Sequence, residues 1–418
     1  MEIPMMLAPS GAPGAPPSRL ATLLIACSFV ALAGCSSTSP TSPSGPVTLL
    51  VDPAGGGDHT TIQAALNEAS GGDTVLVVPG TYTGAQNRDL DFGGQNIVLK
   101  AAAARDSVVI DCEGQGRGFY LHGGEGRSAV IDGFVVVNGH ANRGGGAFFD
   151  GASPTVRNAV FRGNSAVIEG GGVHCRGSSP SLADVAFRAN SAATGTGGGL
   201  FCQSGSPSLA DVTFTENEAG SGAGMTCILA DATLHEVVFV RNEAGTAGGG
   251  LYCGSSSPTI DEVTFVANRA FIGGAIGLSG ASPSISHATI ANNEATSGGG
   301  IYCGNSSAPT IEKSVIAFNL GGGSVYCAGA NAPYTTESCL YGNFGGDTPC
   351  GTHEDNIYED PLFCDLGGDD VKLCANSPCL PAGNDWGLRL GDKGQGCGDC
   401  ASSLSGSRRR ALLGGPRP

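Results

Sequence analysis

The chain has 418 residues, 70 of them glycine, with 14% charged and 6% aromatic residues. Here the glycines cluster between apolar, β-branched runs, which argues against disorder or a fibre and for many short strands joined by tight turns. The formal net charge is −16, although the last 18 residues carry Arg408, Arg409, Arg410 and Arg417 and no acid; such a body repels nucleic acid and anionic lipid and attracts cations.

At the start of the chain, Arg19 precedes an apolar run from Leu20 to Leu32, the length of a signal h-region and too short to span a membrane. The run closes on Leu32-Ala33-Gly34-Cys35, which resembles the lipobox of bacterial lipoproteins. That resemblance implies a signal peptide over residues 1–34, lipidation of Cys35, and, with Ser36 following, onward transport to the outer membrane or cell surface. The protein would then meet the membrane only through its N-terminal lipid. Residues 35–46, rich in Ser and Pro, read as a flexible tether. In the next segment Thr60 and Gln63 have capping-box spacing. Ile62, Ala65, Leu66 and Ala69 share one face, and Gly71 is a stop, so one short amphipathic helix is expected here as a cap.

A repeat follows. Phe161, Phe187, Phe214, Phe239, Phe265, Ile290 and Ile316 succeed one another at intervals of 25 to 27 residues, each followed three residues later by asparagine. Those asparagines, with Asn138 before and Asn343 after, form one series: Asn138, Asn164, Asn190, Asn217, Asn242, Asn268, Asn293, Asn319 and Asn343. Glycine clusters recur in phase, as does Ser-Pro, except near Asp231. A period near 26 with short strands and no helical pattern is one coil of a parallel β-solenoid, whose coils stack about 4.8 Å apart. Stacked asparagines can then satisfy one another's amides inside the core.

Alternation after each glycine cluster places two columns inward. The first runs from Ala147, Val173 and Leu200 to Val325, and the second is Phe149, Cys175, Cys202, Cys227, Cys253, Leu278, Cys303 and Cys327. The cysteines of that column read as buried apolar thiols rather than disulfides. Between the two lies an outward column containing Phe148, His174, Phe201, Tyr252, Tyr302 and Tyr326. Exposed rings in a row would suit stacking on sugar faces; rings stacked on one another along the sheet are the structural alternative. A fourth column, three residues before each Phe, includes Asp184, Asp211, Glu236 and Glu262 on consecutive coils. Four carboxylates at coil spacing make calcium the candidate cation, against a solvated bend between two strands.

Beyond residue 338 the period is lost and cysteines accumulate: Cys339, Cys350, Cys364, Cys374, Cys379, Cys397 and Cys400. We read 47–338 as the solenoid, 339–400 as a disulfide-stapled C-terminal cap, and 401–418 as a basic tail without an assigned role. Cys339–Cys350 and Cys364–Cys374 are plausible pairs, but spacing does not fix connectivity and seven is odd.

The stretch "TTIQAALNEASGGDTVLVVPGTY" resembles the opening of pectin-lyase-like right-handed β-helix proteins, and "EDPLFCD…LCANSPCLPAGN" resembles their closing segment. The glycine, Ser-Pro and Phe-x-x-Asn coils are similar to those of secreted bacterial β-helix repeat proteins. The fold expected is therefore all-β, a right-handed parallel β-helix. Function does not follow from that likeness. Lyases of the superfamily use a basic residue beside calcium-binding acids on one sheet face. Here the outward column offers His174 alone, and the acids recur once per coil instead of meeting at one place, although Asp91, Asp111, Glu125, Arg127 and Asp132 occupy less regular early coils. The expectation is a noncatalytic, cell-surface, polysaccharide-binding or adhesive lipoprotein. A polysaccharide lyase or glycoside hydrolase is the first alternative and an inert spacer the second.

Overall fold

The computed structural model describes residues 45–401. Cys35, the apolar run before it, most of the tether and the arginine-rich tail lie outside the described residues.

The chain winds into a parallel solenoid of about 13 turns with about 26 residues per coil. A representative coil uses Thr155–Arg162, Ser165–Glu169 and Val173–Arg176. Stacking of coils builds a bent 21-stranded sheet, a nine-stranded sheet and a five-stranded sheet; every strand pair in them is parallel, in register in the first two and with a register shift in each pair of the third. Phe161 thus sits on Phe187, Phe187 on Phe214 and Phe239 on Phe265. Their rings are 5.4, 4.8 and 4.6 Å apart, stacked and nearly parallel. Both inward columns are buried as far as Cys303. The thiols of Cys175, Cys202, Cys227, Cys253 and Cys303 are unpaired, as expected of an apolar column.

Corners are made by single left-handed residues. The column Asn158, Asp184, Asp211, Glu236, Glu262, His287 and Lys313 has φ between 47° and 54°. Polar side chains at such a bend reach water while the backbone reverses its pleat, so the bend reading of this column holds. At each glycine cluster a Cβ on the middle glycine would strike backbone of the neighbouring coil. On Gly171 it would lie 2.5 Å from both Gly198 O and Ser191 O, which is why no side chain occurs there apart from Ala223.

The asparagine ladder forms from Asn164 to Asn343. In each rung Nδ2 donates to Oδ1 of the next asparagine, at 3.0 Å from Asn164 to Asn190 and 2.8 Å from Asn242 to Asn268. The backbone N–H of each rung donates to the same oxygen. Asp347 terminates the series by accepting from Asn343. Asn138 is not a rung. Val136 aligns with Phe161, so Gly139 occupies the ladder position and its N–H donates to Asn164 Oδ1 at 2.9 Å. Asn138 is exposed at a left-handed corner (φ 56°) and donates to Asp111. The Ser-Pro serines form a second ladder: Ser153 Oγ accepts from Ser179 N and Ser179 Oγ from Ser206 N. Asp231 fills this role for Ser257 in the coil lacking Ser-Pro.

The helix α1, Ile62–Glu68, buries Ile62, Ala65 and Leu66, with Ala69 as its C-cap. The expected capping box is absent. The N-cap is Thr61 without a side-chain bond, and Asn87 from the following coil accepts from Ile62 N at 2.9 Å. Gln63 instead grips the Asp91 backbone through both ends of its amide.

The coils continue past residue 338, through Cys339–Tyr341 and Thr352–Glu354. The remaining chain turns back and lies on the outer face of the broad sheet, as a lateral flap rather than a plug on the axis. Leu366, Val371, Leu373, Cys379 and Leu390 pack on Val266, Ala291, Val315, Ala317 and Cys339. Arg389 pairs with Glu262 at 2.6 Å and Arg241 with Asp369 at 2.6 Å. Asp392 meets Thr264 and Thr289, accepting from the first and donating its N–H to the second at 3.2 Å. A three-stranded sheet, Phe363–Asp365, Asp370–Cys374 and Gln395–Cys397, organises the flap.

Disulfides join Cys327 to Cys350, Cys364 to Cys397 and Cys374 to Cys400. The pairs read from spacing, Cys339–Cys350 and Cys364–Cys374, do not form. Cys350 is used by Cys327, the last cysteine of the inner column, which is in register with Cys303 and, unlike the others of that column, is not a free thiol; the strand pairing of the flap brings Cys374 beside Cys397 and Cys400.

Candidate functional site

The outward face of the nine-stranded sheet carries the ring column, and register extends it to one residue that the sequence reading missed. Tyr120 aligns with Phe148, then His174, Phe201, Thr226, Tyr252, Gly277, Tyr302 and Tyr326. The signal for Tyr120 was its place one strand before Phe148, obscured because the early coils are irregular.

Phe148, His174 and Phe201 are buried, so these three cannot meet a ligand as an exposed stripe. The chain entering each glycine cluster passes directly over them. A Cβ on Gly170 would lie 2.8 Å from His174 Cβ, and one on Gly197 would lie 2.7 Å from Phe201 Cβ. Beneath this roof the rings stack on one another. Phe148 and His174 are 4.7 Å apart and stacked, and His174 meets Phe201 edge-on at 4.9 Å. Both imidazole nitrogens of His174 lack a hydrogen-bond partner. Burial, together with Arg143 and Arg176 nearby, pushes its pKa down to about 3, so it is a neutral ring in a stack and not a proton carrier.

The two ends of the column differ from the middle. Tyr120 is half-buried, and exposed His122 stacks on it at 4.3 Å. Arg117 lies over Tyr120, and Arg176 over Phe148. These arginines are already engaged: Arg117 with Asp89 at 3.3 Å, Arg143 with Glu169 at 2.7 Å, and Arg176 with Asp150 through both guanidinium branches. The Arg176 guanidinium holds the Asp150 carboxyl below its ordinary range.

At the other end, Tyr252 and Tyr302 are half-buried and Tyr326 is exposed. A tyrosine outreaches the roof that hides a phenylalanine, and its ring lies down over the glycine two residues on. A Cβ on Gly254 would meet Tyr252 Cε1 at 3.8 Å, and one on Gly304 would meet Tyr302 Cε1 at 3.0 Å. Tyr302 and Tyr326 stack at 5.7 Å, and Gly277 separates Tyr252 from Tyr302 by two coils, about 9.6 Å.

The acidic column is dispersed by its partners. Asp184 pairs with Arg105 and Glu262 with Arg389, so an arginine stands at each end of the run proposed for calcium. Between them, Glu236 comes together with His235 and Glu262, their ligand atoms within 4.8 Å of one another on the exposed corner. Asp261 bridges His235 at 3.5 Å and His287 at 3.1 Å. The early-coil acids hold turns: Glu125 accepts from the N–H groups of Gly94 and Gly123, Asp111 from Glu113 N and Asn138, and Asp132 from Arg157 and Asn158. Asp91 caps the turn at Gly93 and stands 4.0 Å from His122. Arg127 contributes its carbonyl to Thr155 Oγ1.

Residues 199–352 match the family model described as "Right handed beta helix region". No curated protein matches the chain. Among solved structures, the pectate lyase Pel9A is similar over 84% of this chain and 97% of its own, at 14% identity and a TM-score of 0.49. A PL6-family polysaccharide lyase from Pseudopedobacter saltans covers 77% of this chain and 95% of its own, at 11% identity and a TM-score of 0.33. A pectin methylesterase variant in complex with a hexasaccharide covers 76% and 94%, at 10% identity and a TM-score of 0.31. The coil geometry of the matched interval runs on unbroken toward the N-terminal side of it, so the described residues up to Glu354 form one right-handed parallel β-helix.

Proposed function

We propose that the protein is a noncatalytic polysaccharide-binding lipoprotein of the bacterial cell surface, with the outward face of the nine-stranded sheet as its binding face. The observation that carries this reading is the line of uncovered rings on an otherwise glycine-floored surface, Tyr252, Tyr302 and Tyr326. Flat rings on a rigid strand suit the apolar face of a sugar, and their rigidity keeps the entropic loss on binding small. Neutral glycan is the class that fits. The chain carries a net charge of −16, and the arginines near Tyr120 are already paired with acids. The imidazole of His174 in the column is buried and neutral, and the early-coil acids Glu125 and Asp111 are committed to turns, which supports a noncatalytic reading of this face.

The test is retention of the purified protein in affinity gels containing neutral or acidic polysaccharides, with and without calcium, while unsaturated and reducing ends are followed. Retention by neutral glycan without new ends, lost in Tyr302→Ala/Tyr326→Ala, is the expected result. New ends would make it an enzyme. Retention that survives the double variant would move the binding face elsewhere.

A further inference from the structure

Away from the ring face, two buried thiols stand where the flap meets the coils. Cys339 begins a strand of one of the last coils, aligned with Val315, and Cys379 lies in the flap. Both are fully buried, unpaired, and in one apolar cluster with Ala317, Leu373 and Leu390. The flap is pinned beside Cys379: Leu390 N donates to Cys379 O at 2.8 Å, and Gly391 N donates to Lys313 O at 2.8 Å, one strand from Cys339. The two thiols lie within hydrogen-bonding reach of each other, and Cys339 also donates to Glu359 O at 3.2 Å. From Cys327 onward the chain has eight cysteines, and the three disulfides use six. Cys339 and Cys379 are the remainder.

We propose that Cys339 and Cys379 are a fourth disulfide site, closed by exchange with a small-molecule or protein disulfide, and that this bond fastens the flap to the solenoid. One cysteine, as thiolate, attacks a sulfur of the oxidant disulfide and displaces the oxidant's other half as a thiol. The second cysteine, as thiolate, attacks the mixed disulfide and releases the remaining half. The two cysteines lose two protons and two electrons, and the oxidant leaves as two thiols. The neighbouring Cys379 thiol and burial push the Cys339 thiol well above its ordinary range, so the thiolate is scarce once the flap has closed. The exchange therefore takes place while the flap is still open, and the closed thiol pair is inert. The bond would link residues 40 apart, a longer loop than the 23, 33 and 26 closed by the other three. On chain-entropy grounds it constrains the unfolded ensemble at least as strongly as they do.

The test refolds the full-length chain with glutathione and glutathione disulfide, alkylates it under denaturing conditions without reduction, and maps the digested peptides. The expected result is a Cys339–Cys379 linked peptide, with label on Cys112, Cys175, Cys202, Cys227, Cys253 and Cys303. Label on both Cys339 and Cys379 while the other three bonds are intact would overturn the proposal, as would either residue linked elsewhere. The single variants Cys339→Ser and Cys379→Ser read out the fastening role by amide exchange in residues 360–400, expected to rise ~10-fold or more. Unchanged exchange would remove that role. If the variants do not fold, the peptide map of the parent chain alone decides.

Discussion

Replacing Asn242 with leucine tests the ladder at its centre. The Asn242 side chain makes four hydrogen bonds. Nδ2 donates to Asn268 Oδ1 at 2.8 Å and to Phe214 O at 2.9 Å, and Oδ1 accepts from Asn217 N at 3.1 Å and Asn217 Nδ2 at 2.9 Å. Leucine keeps the branched heavy-atom skeleton but is bulkier, so any overpacking adds to the cost that falls on the partners. Asn217 Nδ2 keeps Phe187 O, and Asn268 Oδ1 keeps the Asn242 N–H. Asn217 N and Phe214 O lose these side-chain partners inside a core that excludes water. At about 1–3 kcal/mol for each buried group left unsatisfied, the loss is about 2–6 kcal/mol. The assay is denaturant unfolding with amide exchange at Asn217, whose N–H should exchange faster first. The control is Asn138→Gly, in phase in the sequence but exposed at a left-handed corner where glycine is at ease. It should change stability by less than about 0.5 kcal/mol. If Asn242→Leu costs no more than Asn138→Gly, or Asn217 exchange is unaltered, the argument from amide stacking is wrong.

The buried ring of His174 makes stability depend on pH. Its folded pKa, about 3, lies below the ordinary value near 6.5, so the unfolded chain binds the extra proton between those limits. The contribution is present above about pH 6.5 and is lost as pH falls toward 3, by up to roughly 4–5 kcal/mol. His174→Phe should flatten this segment of the stability–pH curve, and an unchanged slope would contradict the assignment. Asn87→Ala should destabilise by about 0.5–2 kcal/mol through loss of the cap on Ile62 N, measured as a lower denaturation midpoint with faster exchange confined to residues 62–68. Equal destabilisation from Gln63→Ala with no effect from Asn87→Ala would reverse the roles assigned to these two residues.

What could be read in advance was whatever the coil repeats. Phe161 to Phe265, the asparagines from Asn164 onward and the alternating inward columns each recur at one coil, and translation along the axis turns sequence phase into contact. Misreadings arose where phase and register part. Asn138 keeps the spacing, yet a coil one residue shorter places Gly139 on the ladder. Burial of Phe148, His174 and Phe201 was illegible because their cover comes from another part of the same coil, and alternation describes a sheet and not what crosses above it. The cap of α1 by Asn87 and the pairing of Cys374 with Cys400 join segments that share no period. The flap did leave a trace. The outward column Arg162, Arg188, Thr215, Val240, Val266, Ala291 and Ala317 turns from polar to apolar, where Val266, Ala291 and Ala317 pack against the flap.

A stack of near-identical coils has a hazard peculiar to translation: a chain displaced by one whole coil would still bury Phe on Phe and Asn on Asn. Such a slipped stack differs little in core energy from the correct one, and nothing inside the repeating interior tells them apart. The flap does, because its anchors occur together only once: the paired hydroxyls of Thr264 and Thr289 lie between Val238 one coil earlier and Val315 one coil later. Arg389 needs the carboxylate of Glu262, where the same corner one coil later offers His287, and Asp392 needs the paired hydroxyls of Thr264 and Thr289, where the next coil offers Val315. Closure of the lateral segment thus acts as a proofreading step on winding number, made by chain that follows the coils in sequence.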